Sequence, residues 1–331
     1  MQTLETLLLD REDVTANARI GEVIDAVEGA FGAHGRGDSQ MPAKSYIELP
    51  RYNGDFRSMP AYLDAGDWDA AGVKWVNVHP DNPEDHDLPT VLGTVIYSDP
   101  ETAFPLAMLD GTTLTRLRTG AAAAVATKYL AREDATSLGL VGAGVQARTQ
   151  LAAIANVRDI ERVVVADARQ GAVDAFVADH EAEYDVTGGS IAEAAACDVV
   201  STTTPVTEPI VERVGERTHV NAIGADAPAK QELATEIVRE ATIVIDDHEQ
   251  CVHSGEISVP YREGAITDAD IHAELGKIVT GDRTGRTADD GVTLFDSTGL
   301  AIQDIAAARV VYERATENAA GTRFGLVGTG Q

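Results

Sequence analysis

The chain has 331 residues, room for one large or two ordinary domains, and its 44% apolar content is enough for a proper core. Its 54 acidic against 26 basic residues leave a formal charge of −28, which repels nucleic acid and anionic membranes. No apolar run of about eighteen residues occurs and the N-terminus lacks a basic-then-apolar leader, so neither a membrane span nor an export signal is expected. With only Cys197 and Cys251 present, there is no disulfide framework, and a reducing cytoplasm is the default. The five lysines (Lys44, Lys74, Lys128, Lys230 and Lys277) are outnumbered by arginines. Such an acidic chain is expected in a salt-rich cell interior, where a Debye length of about 3 Å at 1 M screens the self-repulsion.

In chain order, an apolar strand at Thr6–Leu9 precedes a helix from about Arg19 to His34, with Ile20, Val23, Ile24, Val27 and Phe31 at helical spacing. Strand-like segments follow at 44–49, 56–63, 72–78, 90–97 and 104–109, separated by turn signals, which predicts an antiparallel or mixed sheet. The segment 79–89 is too polar for core. From Asp110 the rhythm changes: a long Ala-rich helix, 113–130, leads into strands at 138–141, 163–166, 199–202, 219–223, 242–245 and 293–295 with helices between them. That alternation predicts a parallel sheet covered on both faces. A last helix, 300–319, is expected to pack back on the first part, and only the Gly-rich tail reads as loose. The expected fold is therefore α/β: a Rossmann-like doubly wound domain, 118–302, and a discontinuous α+β domain, 1–117 plus 303–331.

The most specific motif lies at the start of that second part. Strand 137–141 runs into Gly142-Ala-Gly144-Val-Gln-Ala147 and then a helix. Gly142 permits the tight turn, Gly144 lets backbone approach a pyrophosphate, and Ala147 lets helix pack on strand. The pyrophosphate would lie on free N–H groups at the helix N-terminus. The next strand ends in Asp167, where a carboxylate would accept the ribose hydroxyls.

Other constellations are less specific. Strand alternation gives Lys74, Val76 and Val78 one face and Trp75, Asn77 and His79 the other. Lys74 is thus either a general acid/base with a lowered pKa or a rim lysine with its head in water. Arg118 and Thr119 near a helix start suit a phosphate or carboxylate, or a solvated surface. Asp226 follows strand 220–223 and Gly224, where it can orient water or a substrate ammonium, or cap a helix near Gln231. Asp296 and Ser297 follow another strand in the same layout, and the Ser201-Thr-Thr-Thr204 hydroxyls stand at a third strand end. The eight histidines show no paired metal-ligand spacing, so no metal is expected. No serine stands in a nucleophile elbow.

Together these segments resemble the ornithine cyclodeaminase/μ-crystallin family, and within it the archaeal alanine dehydrogenase branch. The matching stretches are Met59-Pro-Ala-Tyr62, Lys74-Trp-Val-Asn-Val-His-Pro80, Leu88-Pro-Thr90, Leu109-Asp-Gly-Thr112, Arg118-Thr-Gly-Ala121, Gly142-Ala-Gly-Val-Gln146, Asn221-Ala-Ile-Gly-Ala-Asp226, Gly255-Glu-Ile257 and Phe295-Asp-Ser-Thr-Gly-Leu-Ala-Ile-Gln-Asp304. The resemblance implies a two-domain homodimer that binds NAD and acts on a small amino acid. It implies Lys74 as the proton donor or acceptor on substrate, Asp226 as the group handling water or the amine, Arg118 on a cofactor phosphate, and Thr90 near the nicotinamide. The cofactor contacts expected are Thr90, Arg118, Thr119, Gly142, Gly144, Val145, Gln146, Asp167, Ala168, Arg169, Thr203, Thr204, Gly224, Ala225, Asp296 and Ser297. Cyclodeaminases of the family carry a glutamate where this chain has Arg57. A cation there repels ornithine's distal ammonium and suits an α-carboxylate, with Lys44 beside it. The activity this implies is NAD-dependent oxidative deamination of L-alanine; the alternatives are ornithine cyclodeaminase, a cyclic ketimine reductase and a non-catalytic ligand-binding protein.

Overall fold

The computed structural model describes residues 5–328, which fall into two units: Met1–Arg118 with Leu300–Gln331, and Thr119–Gly299. In the first unit, β1 (Thr6–Leu9) is followed by a helix, Arg11–Asn17, that the apolar periodicity did not signal. Asp10 sets it up by accepting the N–H groups of Glu12 and Asp13, a local cap that needs no amphipathic pattern. The helix Ile20–Arg36 then buries Val23, Ile24, Val27 and Phe31 and stops at Gly37, in the left-handed region at φ 84°.

Strands β2 (Ser39–Gln40), β3 (Ser45–Leu49), β4 (Gly54–Asp64), β5 (Asp69–Val78), β6 (Val91–Ser98) and β7 (Pro105–Asp110) build one sheet with β1. With a further strand at Thr322–Phe324 (β16), its order is β16-β1-β7-β6-β5-β4-β2, with β3 paired to β4. β1 and β7 run parallel and the other neighbours antiparallel. The edge strand β16 (Thr322–Phe324) lies in the tail that reads as loose in the sequence; exposed backbone pairing with β1 orders it without any apolar burial. Residues 329–331 of that tail lie outside the described residues. The polar segment 79–89 also holds a short helix, Asn82–Asp85. The last helix, Ala301–Glu317, packs on β4 and β5, and its Ile305 lies so close to Gly72 that a Cβ there would meet the Ile305 methyl at 2.8 Å. This contact shows that the helix covers the β5 face shared by Gly72, Lys74 and Val76.

The second unit is an eight-stranded, all-parallel sheet. Its strands are β8 (Ser137–Val141), β9 (Arg162–Ala166), β10 (Asp185–Gly188), β11 (Val199–Thr202), β12 (His219–Ala222), β13 (Thr242–Ile245), β14 (Ile271–Glu274) and β15 (Thr293–Asp296). The order β10-β9-β8-β11-β12-β15-β13-β14 reverses direction between β8 and β11. That is the switch point of a doubly wound, Rossmann-like sheet, beyond whose strand ends ligands bind. Alternate residues feed two cores: Leu138, Leu140, Val163 and Val165 on one face, Val141, Val164, Ala166 and Val200 on the other. Among the described residues no helix is long and apolar enough to cross a membrane.

Candidate active site

The helix Ala301–Glu317 covers the Lys74 face, and that removes one of the two readings of Lys74. The residue is 2% exposed, so it is not a rim lysine with its head in water. Its Nζ lies 2.7 Å from Oδ2 of Asp304, which is itself wholly buried on that helix, and donates to the Thr115 hydroxyl at 3.4 Å. Asp304's other oxygen accepts Nε of Arg118 at 3.0 Å, while Arg118 Nη1 donates to Gln303 at 3.1 Å. Burial pulls the Lys74 pKa down to about 7; the Asp304 charge resists this, and Arg118 and Lys44 push in the same direction as burial. A lysine poised there can accept and return a proton near neutral pH. Asp304 is the member that residue-by-residue reading of the sequence missed. The one clue was its place at the end of the Phe295–Asp304 stretch.

Arg118, expected on a cofactor phosphate, is 7% exposed, with two of its donors held by Asp304 and Gln303. Arg57, expected on a carboxylate, already has its fork on Asp55: Nη2 donates at 2.9 Å and Nε at 3.1 Å to Oδ2, with Tyr46 under the guanidinium. Lys44 is half-buried, as is Thr90 just before β6.

In the other unit the loop after β8 forms an anion cradle. Gly142 has φ 103°, and a Cβ there would meet the Thr203 hydroxyl at 2.9 Å, so a larger residue is strained there. A Cβ on Gly144 would meet nothing within 4 Å, so that side of the loop lies open. Gly144 is the N-cap of the helix Val145–Ile154 and has no capping side chain, which leaves the first N–H groups to a ligand. Val145 is exposed and Gln146 half-buried on the first turn. Asp167, at the end of β9, accepts the Ala143 N–H at 2.8 Å and the Arg169 N–H at 2.8 Å. Burial would raise its pKa, but the bonds from Arg169 and Ala143 outweigh it and hold the carboxylate ionised. Ala168 and Arg169 are exposed beside it. An open glycine, an uncapped helix and an ionised acid on the next strand fit a dinucleotide.

Asp226 is not a helix cap, since the next helix, Thr235–Glu240, has Ala234 at its N-cap. It sits half-exposed in a loop, its Oδ1 accepting Lys230 Nζ at 2.8 Å. Thr203 and Thr204 follow β11, and Gly224 and Ala225 follow β12. The Asp296 carboxylate is fully buried and accepts the N–H groups of Glu256 at 3.0 Å and Ile257 at 3.1 Å; burial pushes its pKa up to about 7. Ser297 is also buried and donates to Asp246 at 3.0 Å. Both residues, expected at a cofactor, have their side chains engaged inside the unit.

A doubly wound sheet with an anion cradle at its switch point, joined in one chain to an α+β unit holding a buried Lys–Asp–Arg cluster, defines a dinucleotide-dependent class of protein. The chain belongs to the ornithine cyclodeaminase/mu-crystallin family, which it matches over residues 4–319. It is 47% identical over 324 residues to an alanine dehydrogenase of Archaeoglobus fulgidus, covering 97% of this chain and 98% of that one. Its fold is similar to an archaeal alanine dehydrogenase dimer with bound NAD: TM-score 0.93, 46% identity, 98% of this chain and all of the other. It is also similar to the Δ1-pyrroline-2-carboxylate reductase of Thermococcus litoralis in complex with NADH and L-proline: TM-score 0.91, 39% identity, 96% and 99% covered.

Proposed function

We propose that this chain carries out the reversible, NAD-dependent oxidative deamination of L-alanine to pyruvate and ammonia. The observation that carries the reading is Lys74, an amine sealed from solvent and titrating near pH 7 against Asp304. Near-full-length similarity to an alanine dehydrogenase supports the choice of substrate. The cradle of Gly142, Gly144 and the helix N-terminus is assigned to the NAD pyrophosphate and Asp167 to its adenosine ribose, with Thr90, Thr203 and Thr204 near the nicotinamide. NAD, when bound, supplies the acceptor for the substrate's α-hydride. Arg57 and Lys44 are assigned to the α-carboxylate, with Asp55 giving way at Arg57. Lys74 takes a proton from the substrate ammonium so that nitrogen can form the imine. Asp226 orients the water that adds to the imine carbon, and Lys74 returns a proton to nitrogen as ammonia leaves. Asp167's charge opposes a 2′-phosphate, which favours NAD over NADP. A homodimer completes the assignment, on the likeness to the archaeal dimer, and a cytoplasmic setting is inferred from the paucity of cysteines.

The test is NADH production by the purified full-length chain against the L-amino acids in roughly 2–3 M KCl, high enough to screen the surface charge. Alanine is expected to lead, and Lys74→Ala to lose about a thousandfold or more in turnover. Turnover of L-proline in place of alanine would reassign the chain as a Δ1-pyrroline-2-carboxylate reductase. Conversion of ornithine to proline without net NADH would make it a cyclodeaminase.

A further inference from the structure

Behind the loops that carry Thr203, Thr204 and Asp226, three buried acids are joined in series, and none has a part in the chemistry above. Glu232 is wholly buried. Its Oε1 accepts the Thr204 N–H at 2.8 Å and the Thr204 hydroxyl at 2.6 Å. Its Oε2 accepts the Thr202 hydroxyl at 2.7 Å and the Gly224 N–H at 3.0 Å. One carboxylate therefore ties the chain leaving β11 to the chain leaving β12. The fit is tight: a Cβ on Gly224 would meet Glu232 Oε2 at 2.4 Å and the Thr204 carbonyl at 2.6 Å, so only glycine lets that carboxylate in. Glu232 is itself seated from behind. Its N–H donates to both oxygens of the Glu256 carboxylate at 3.0 Å, and the Leu233 N–H donates to Glu256 at 2.6 Å. The Glu256 N–H is held in turn by Asp296.

Asp226 lies inside the segment that this clamp closes, between Gly224 and Glu232. The Lys230 ammonium bridges Asp226 to the Gly224 carbonyl at 3.3 Å, and Ala229 is held in the left-handed region at φ 68°. A non-glycine residue there is strained, so the segment needs an external hold to keep that shape.

We propose that Glu232 is a positioning residue for Asp226: its carboxylate, braced by Glu256 and Asp296, fixes the Gly224–Glu232 segment against the Thr204 strand end. The proposal rests on the assignment of Asp226 to the reaction. Glu232→Gln keeps the shape but turns an amide donor onto either the Gly224 or the Thr204 N–H, leaving one of them unpaired.

Hydrogen exchange of the full-length protein with NAD bound tests the clamp without needing a substrate. In Glu232→Gln, amides 223–231 are expected to exchange about tenfold faster, while amides 142–150 are unchanged. Kinetically, kcat is expected to fall about tenfold or more and to fall further than the affinity for NAD, because the pyrophosphate cradle of Gly142 and Gly144 is untouched while Thr204 loses a partner. Adding Glu232→Gln to Asp226→Asn is expected to cost less than about threefold further, since both act through one group. If Glu232→Gln does not fold, Thr202→Val removes one bond to the same carboxylate and is expected to speed exchange at Gly224 about threefold. Unchanged exchange at Gly224 in the folded variant, or full additivity in the double variant, would overturn the inference. A wild-type protein inactive on alanine but showing the exchange difference would refute the substrate reading instead.

Discussion

Asp304→Asn removes the one anion between two buried cations. In the wild type, Asp304 lies 2.7 Å from Lys74 Nζ and 3.0 Å from Arg118 Nε. Removing one member of a buried charge pair costs about 3–5 kcal/mol, and each pKa unit corresponds to about 1.4 kcal/mol. The Lys74 pKa, about 7 with Asp304 present, should therefore drop by at least about two units in the variant. Oxidative deamination needs the neutral amine, so the acid limb of kcat/KM for alanine should move from near pH 7 to about pH 5 or lower. The plateau should fall too, because a weaker base removes the proton less readily. Stability carries the same signature. The folded protein releases the Lys74 proton near pH 7 and the unfolded chain holds it to the usual lysine value of 10.5, so this group adds stability as pH rises between those limits. In the variant that rise should begin about two units lower. The assay is a pH–rate profile from pH 4.5 to 10, with urea unfolding at the same pH values. An acid limb within about 0.3 units of wild type, in a folded variant, would refute the claim that Asp304 tunes Lys74.

Three further outcomes are expected. Gly144→Ala should leave the thermal midpoint within about 2 °C, since its Cβ meets nothing, yet weaken NAD binding about tenfold or more by titration calorimetry; Gly142→Ala, forced into φ 103° against Thr203, should instead lose about 1–3 kcal/mol in urea unfolding. Asp167→Ser should release Arg169 and remove the charge that opposes a 2′-phosphate, shifting the NADP-to-NAD ratio of kcat/KM by about a hundredfold in favour of NADP. With a formal charge of −28, lowering KCl from about 2 M to 0.1 M lengthens the screening distance to about 10 Å and should reduce the melting temperature by about 10 °C or more; a flat response would dismiss the salt-rich setting inferred from composition.

What the sequence discloses depends on how far apart in the chain the cooperating groups lie. The cradle was legible because Gly142, Gly144 and the following helix are consecutive, and Asp167 comes one strand later, so local rules of turn and cap suffice. The buried strands β8, β9, β11, β12, β13 and β15 were legible for the same reason: each is a short apolar run between turn signals. β10, β14 and β16 were not, because they are short edge strands with few fully buried positions, so their order comes from a neighbour rather than from their own composition. Lys74 marks the limit most clearly. Alternation assigned it a face, but its pKa depends on a helix 230 residues further on that covers that face and carries Asp304. Arg57 shows the converse: its partner Asp55 stands two residues away on the same strand face, a local pairing that the reading of Arg57 by itself did not weigh. The same reasoning accounts for Glu232 and Glu256, whose carboxylates bind backbone N–H groups. Such bonds leave no pattern of residue types, because every non-proline residue offers the same donor. Charge partners such as Asp304 beside Lys74, and carboxylates bonded to backbone such as Glu232 behind Gly224, are thus the features that only folding reveals, because neither leaves a local pattern of residue types.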